Sequence, residues 1–339
     1  IIQTSVNTLL IIYKIDYIIC FLFSNKYRKY IITMEFNNET IRIAVQLYVK
    51  NEKEGEEKYG HINTWNVSNV TDMHDVFYEA KSFNQPLNNW DVSNVTNMTS
   101  MFCDARSFNR PLNNWDVSNV TNMLGMFCNA MSFNQPLNNW DVSNVTNMAR
   151  VFNHAKSFNR PLNNWDVSNV ENMYGVFFNA RSFNQPLNNW DVSNVTNMYS
   201  MFEKAITFNQ PLDKWDVSNV TDMRRMFGFT KSFNQPLNNW NIIYVSNERN
   251  VSNVSNVKNM YSMFEKTTIG NMLKNHNLTN ADYFDKNVYH ELFVWPRKND
   301  YVTFLVNNHY LPFNKHQEEH EYHPLFNNPD ISKYIAYYL

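Results

Sequence analysis

The chain has 339 residues, a net charge of −2 and 18% charged residues, so it lacks the basic surplus with which proteins gather nucleic acid. Aromatic residues reach 16%, enough for a continuous core, and a mean hydropathy of −0.51 points to a soluble chain. Three cysteines, Cys20, Cys103 and Cys128, are too few and too odd in number for a disulfide framework, and Cys103 and Cys128, one slot in neighbouring repeats, read as small apolar fillers.

Residues 1–33 precede the first methionine, Met34, and carry an apolar run from Leu9 to Phe23 followed by Lys26, Arg28 and Lys29. A spanning helix needs about 20 apolar residues, and Lys14 and Asp16 would each cost roughly 2.5–3.5 kcal/mol at its centre. A secretory signal places its positive charge before the apolar run, and here the charge follows it. The preferred expectation is a segment outside the folded protein, with translation starting at Met34 and an intracellular product. A membrane anchor or a secretory signal, either giving a surface or membrane-anchored protein, are the alternatives. Residues 34–60 are expected to form an N-terminal helical cap. Within it, 39–53 reads as an amphipathic helix with Ile41, Val45 and Tyr48 on one face and Asn38 as N-cap.

Residues 61–267 are a repeat. Trp65, Trp90, Trp115, Trp140, Trp165, Trp190, Trp215 and Trp240 follow one another at 25 residues. Phe83 to Phe233 and Met73 to Met223 keep the same step, and one unit reads SFNQPLNNWDVSNVTNMTSMFCDAR, from Ser82 to Arg106. A fixed period of this length means stacked supersecondary units that bury their apolar faces against each other. A Trp in the middle, such as Trp140, is expected to be buried by both neighbours. Trp65 is expected to matter less, because one side faces only the cap.

Within a unit, Trp90 and Val92 lie at i and i+2 and suit a short strand that begins near Leu87. Val95, Met98, Phe102 and Ala105 fall at i, i+3, i+7 and i+10, which predicts a helix. Ser93 is placed to cap it, and Ser168 with Glu171 has capping-box spacing. Gln85-Pro86 turns the chain back. The expected fold is therefore an α/β repeat solenoid: a leucine-rich-repeat-like stack of short parallel strands and helices, about eight coils of 25 residues.

The string Leu87-x-x-Trp90-x-Val92-x-x-Val95 has the spacing of a leucine-rich repeat's strand segment. With WDVSNVTNM, the following MF and SFNQPLNNW, the units resemble those of the BspA-like leucine-rich-repeat surface proteins over roughly residues 61 to 267. The resemblance implies a strand-and-helix solenoid with a role in adhesion or protein binding, and it carries over no catalytic residue. An irregular insert at 241–254 interrupts the repeat, which resumes as SNVKNMYSMF at 255–264. Residues 268–339 form a C-terminal non-repeat region, aromatic and Asn-rich, expected to fold against the last coil.

One string resembles an enzyme signature, His316-Gln317-Glu318-Glu319-His320, an H-x-x-E-H pattern in which two His at i, i+4 would hold zinc. Only 19 residues follow, and Lys315 and Glu321 beside it suit a solvated face, so a zinc hydrolase is a remote alternative. The repeat itself holds no recurring His or Cys, and six Gly leave no phosphate loop. No enzyme and no cofactor or metal is expected.

The polar column Asp91, Asp116, Asp141, Asp166, Asp191 and Asp216 is the candidate binding site. Acids stacked about 4.8 Å apart repel by about 1 kcal/mol per pair in water. Either each Asp accepts hydrogen bonds from local backbone, as in Asx-turns, or the column recruits cations or a basic partner. Asn66 and Asn241 in the same slot favour the first. A mostly basic slot, Lys81, Arg106, Met131, Lys156, Arg181, Ile206 and Lys231, is expected to complement the helix ends. Slots that differ between copies, such as Thr99-Ser100, Leu124-Gly125, Ala149-Arg150 and Arg224-Arg225, should lie on the outer helix face. Recurrent sequons such as Asn94-Val95-Thr96 read as by-products of the repeat. The leading expectation is a monomeric, non-enzymatic scaffold that binds a protein partner. A surface adhesin held by residues 1–33, the one case with a membrane, is the alternative.

Overall fold

The computed structural model describes residues 35–237, 239–240, 259–278, 280 and 284. The chain divides into two compact units, Ile1–Tyr289 and His290–Leu339, and every described residue belongs to the first. The anchor or signal readings of residues 1–33, the H-x-x-E-H string and the whole insert 241–254 lie outside the described residues. Among those described, no helix is long and apolar enough to cross a membrane.

Two helices precede the repeats, α1 (Thr40–Lys50) and α2 (Glu52–Tyr59). The buried face of α1 is Ile41, Ala44, Val45 and Tyr48, which follows from their i, i+3, i+4, i+7 spacing. Its first turn is satisfied by Asn37, whose Oδ1 accepts from Glu39 N and Thr40 N at 3.0 and 2.9 Å, and not by Asn38. Asn38 Oδ1 instead accepts from Thr71 N and Asp72 N, tying the cap to the first repeat. The expected single helix over 39–53 breaks at Asn51, extended at φ −150°, whose side chain accepts from Glu54 N and starts α2. The break lets α2 fold back until Gly55 lies against Tyr48: a Cβ there would sit 2.7 Å from Tyr48 Cα.

The 25-residue repeat is a physical one. Parallel bridges run Asp72–Asn97–Asn122–Asn147–Asn172–Asn197–Asp222–Asn259, the last passing over the insert. Where the apolar spacing predicted a helix, the chain makes a ribbon of turns. The N–H groups of Met101, Cys103 and Ala105 reach back three residues to Met98, Ser100 and Phe102. Those of Met98, Ser100, Phe102 and Asp104 donate forward to Asn122, Leu124, Met126 and Cys128 of the next unit, at 2.7–2.9 Å. Alternate amides are thus satisfied within the unit and across it.

Two slots in each unit have positive φ: Ser100 (51°) and Asp104 (59°) with Gly125, Arg150, Gly175, His154 and their equivalents. A left-handed residue every fourth position stops an α-helix from forming. Ser93, Ser168 and Glu171 therefore cap nothing. The strand expected at Leu87–Val92 is absent too, and the parallel contact falls at the Asn97 slot. Among the described residues the repeated units contain no α-helix and no strand longer than a bridge, so the expected strand and helix are corrected to turns and bridges. The repeat architecture stands. After the last described unit comes α3 (Thr268–Asn275), capped by Thr267 through Gly270 N.

Columns of identical side chains fill the core. Consecutive Trp rings such as Trp115–Trp140 and Trp140–Trp165 stack at 6.4 and 6.5 Å within 2° of parallel. From Trp90 onward each indole N–H donates to a main-chain carbonyl in the unit before, as Trp140 Nε1 does to Leu112 O at 3.0 Å, whereas Trp65 Nε1 donates to Gly60 O in the cap. Burial of an indole without such a partner would leave a polar group unpaired. Two Phe columns run beside it, Phe102–Phe127 at 5.6 Å and Phe108–Phe133 at 6.0 Å. A ladder of Asn side chains closes the outside of the SFNQP turn, Asn109 N to Asn84 Oδ1 and Asn134 N to Asn109 Oδ1, both at 3.0 Å.

Candidate interaction surface

The Asp column is exposed along the stack. Each carboxylate accepts from the backbone two residues on: Asp91 from Ser93 N, Asp116 from Ser118, Asp141 from Ser143, Asp166 from Ser168, Asp191 from Ser193 and Asp216 from Ser218, at 2.9–3.1 Å. Asn66 makes the same bond to Ser68 N. These are Asx-turns that fix the corner after the Trp. The Ser118 and Ser143 hydrogen bonds hold the Asp116 and Asp141 carboxyls below the usual range. The charge of Asp141 pushes Asp116 the other way and is the weaker effect. All eight Trp of the candidate core, Trp65, Trp90, Trp115, Trp140, Trp165, Trp190, Trp215 and Trp240, are buried.

Beside the Asp column runs a polar groove of about 730 Å³ lined by Asn144, Thr146, Asn169, Glu171, Asn194, Thr196 and Asn219. Its side chains are structural as well. Asn144 Nδ2 donates to Ser118 O and Asn169 Nδ2 to Ser143 O, at 2.7 and 2.8 Å. Thr146 Oγ1 bonds Thr121 O, and Thr196 Oγ1 bonds Glu171 O. The sequon nitrogens are therefore spent on joining units. Glu171 interrupts the Thr column.

The slots that differ between copies gather on another face, along the turn ribbon. Tyr174 and Tyr199 stack at 5.2 Å and 9°, with the Arg150 guanidinium 5.4 Å from the Tyr174 ring and that of Arg224 5.0 Å from Tyr199. Arg224 also pairs with Asp222 at 2.6 Å. Tyr261, at the same slot beyond the insert, is 73% exposed. Below this column Glu203, 3% exposed, accepts from Arg225 Nη2 and Ser200 Oγ. His154 and Phe178 face each other at 5.0 Å, and Lys204 Nζ lies 5.3 Å from the Phe178 ring. Cys103 and Cys128 are both free and occupy one slot of adjacent units. The neighbouring Cys128 and burial push the Cys103 thiol up, Cys103 draws the Cys128 thiol down, and Cys128 Sγ donates to Asn153 Oδ1 at 3.8 Å.

The basic slot has no helix ends to complement, since the units have none; Arg106, for one, bonds Asp104 at 3.0 Å. Among the described residues no group of three or more His, Cys, Asp or Glu is placed to hold a metal. Sequence reasoning missed Tyr174, Tyr199, His154, Phe178 and Lys204 as a group. The signal was present in the slots that vary, yet a helix would have scattered them around its circumference, whereas the turn ribbon lays them on one face.

Residues 46–165 and 149–253, two consecutive stretches of the repeat, match the family described as "Mycoplasma protein of unknown function, DUF285". The chain belongs to this family. The two DUF285 matches overlap and together cover more than half of the chain, almost all of it in the stacked units. No curated protein and no solved structure matches the chain. In this DUF285 protein the residues constant from unit to unit either stack or bond between units, as Trp140 and Asn144 do, or fix a turn within one, as Asp141 does.

Proposed function

We propose that this protein is a non-enzymatic interaction scaffold, a solenoid of the BspA-like kind that binds another protein through its variable face. The observation that carries the reading is the column Arg150–Tyr174–Tyr199–Arg224, exposed at its arginines and half-buried at its tyrosines, built from the slots that differ between otherwise equal units. Tyr and Arg are the residues that most often dominate binding energy at protein interfaces. Mutual stacking fixes their rotamers before a partner arrives, which lowers the ordering cost of association. The Asp column and the Asn/Thr groove are assigned to the scaffold, because the Asp carboxylates fix the corner turn within each unit and the Asn and Thr side chains join one unit to the next.

The test is affinity capture with the full chain, its Tyr174→Ser/Tyr199→Ser variant and its Asp141→Lys/Asp166→Lys/Asp191→Lys variant. The Tyr variant is expected to lose the bound protein while keeping the circular dichroism of the parent. The Asp variant is expected to retain the partner and to melt at a lower temperature. A partner lost only by the Asp variant would return the site to that column.

A further inference from the structure

The variable face is not uniform in charge. Arg150, Arg181 and Lys204 are exposed and Lys156 half-buried, all within three successive units. The ion pairs among the described residues involve Arg42, Lys53, His74, Arg106, Arg224 and Arg225, so these four cations meet no carboxylate there. Rings and an amide hold three of them instead. Arg150 lies over Tyr174, Lys204 over Phe178 and Phe229 at 5.3 and 5.9 Å, and Arg181 Nε donates to Asn179 Oδ1 at 2.9 Å. Such contacts orient a cation and leave most of its N–H donors unspent. In a chain with a net charge of −2, four cations gathered on one face are a local arrangement that overall composition does not explain.

At the centre sits His154, its ring against Phe178 and its Nδ1 2.6 Å from Asn153 Oδ1. Glu203, an acid on this ribbon, is turned to Arg225 and Ser200. We propose that this patch, His154 and Phe178 framed by Arg150, Lys156, Arg181 and Lys204, binds an acidic segment of a partner protein. The inference rests on the reading of the variable face as an interaction surface, and it names the partner's chemistry. Stacked units about 4.8 Å apart spread the cations over roughly 10 Å, a span that an extended run of three or four Asp or Glu covers. A single-stranded nucleic acid fits less well. Tyr174 and Tyr199 already stack on each other, and His154 and Lys204 cover Phe178, so these rings offer a base little open surface.

A consequence follows for protons. Burial first, then Lys156, Lys204, Arg150 and Arg181, hold the free His154 imidazole below its ordinary range, so it is neutral at neutral pH. Carboxylates docked beside it would raise that value. Binding then takes up a proton at pH values between the free and bound pKa, and affinity rises as pH falls through that window.

The experiment titrates the full chain with a fluorescent glutamate decapeptide, with glutamine and oligothymidylate decamers as controls, while the His154 ring signal is followed by NMR. The glutamate peptide is expected to bind, to weaken with salt and to raise the His154 pKa. Arg150→Gln/Arg181→Gln/Lys204→Gln should weaken it by about tenfold or more, taking each exposed pair at the middle of its usual range. His154→Gln should keep binding at high pH and lose the gain at low pH. Equal binding by wild type and triple variant, or no binding at all, overturns the inference, and tighter binding of the oligonucleotide reassigns the partner. If capture of the cellular partner needs Tyr174 and Tyr199 but survives the triple variant, the interaction face stands and the acidic partner falls. If neither set matters, both fall.

Discussion

At the scale of the residue, Trp explains the repeat better than any other side chain. A Phe would fill the stack, but only an indole also reaches the carbonyl 28 residues back, as Trp140 does to Leu112. Trp140→Phe therefore removes a buried hydrogen bond to Leu112 O, which keeps its bond from Trp115 N, and is expected to cost about 0.5–1.5 kcal/mol. Trp140→Ala adds a cavity and should reach about 3–5 kcal/mol. Urea midpoints read both, and a Trp140→Phe midpoint equal to wild type would show that the N–H bond contributes nothing. The expectation that Trp65 matters less is revised. Phe36 stacks on it at 4.8 Å, Tyr48 and Tyr59 meet it edge-on at 5.7 and 5.8 Å, and it is 4% exposed. Trp65→Ala should cost as much as Trp140→Ala. The Trp column was legible from its period; the bond that demands Trp was not, because its acceptor is main chain and leaves no mark in the sequence.

At the scale of the element, the helix that the sequence pattern suggested and the turn ribbon found here differ in what they ask of one glycine. Gly125 sits at φ 62° with room for a methyl group, since a Cβ would meet Ser100 Oγ at 3.5 Å and Cys128 Cβ at 3.7 Å. In a helix, Gly125→Ala would stabilise by about 0.5–1 kcal/mol. In the ribbon it should destabilise by about 1–2 kcal/mol, the left-handed cost of a Cβ. The sign of the change in melting temperature decides between them. Apolar residues three and four apart fit both a helix and four-residue turns, so Val95, Met98, Phe102 and Ala105 did not separate the two. The distinguishing marks were Gly125 and Gly175 in one slot and Asp104, Asn129 and Asn179 in the other, all residues that tolerate positive φ. The cap shows the same limit. Asn37 and Asn38 are adjacent and chemically equal, and only the docked first unit gives Asn38 a different task.

At the scale of the whole repeat, backbone bonds between units run only to the unit before or after, so stability should be close to a sum of units and interfaces. Period alone made this much readable, because identical spacing of Trp, Phe and Met admits no arrangement but stacking in register. Deleting one full unit, Ser107 to Met131, joins Arg106 to Ser132 with every column intact. Trp140 then finds Leu87 O where it had Leu112 O, and the fold should survive with a modest fall in its urea midpoint. Deleting 13 residues, 107–119, puts polar Asn and Ser opposite the Trp and Phe columns and should abolish cooperative unfolding. The unit removed lies outside the stretch that carries Arg150 to Lys204, so the shortened protein should bind the glutamate decapeptide as tightly as the parent. A whole-unit deletion that unfolds the chain as thoroughly as the 13-residue one would mean that the units are coupled beyond their neighbours. A shortened protein that folds but no longer binds would mean that the patch extends into the unit of Cys128 and Asn129, where an Asn amide donates to Asp104 at 3.2 Å.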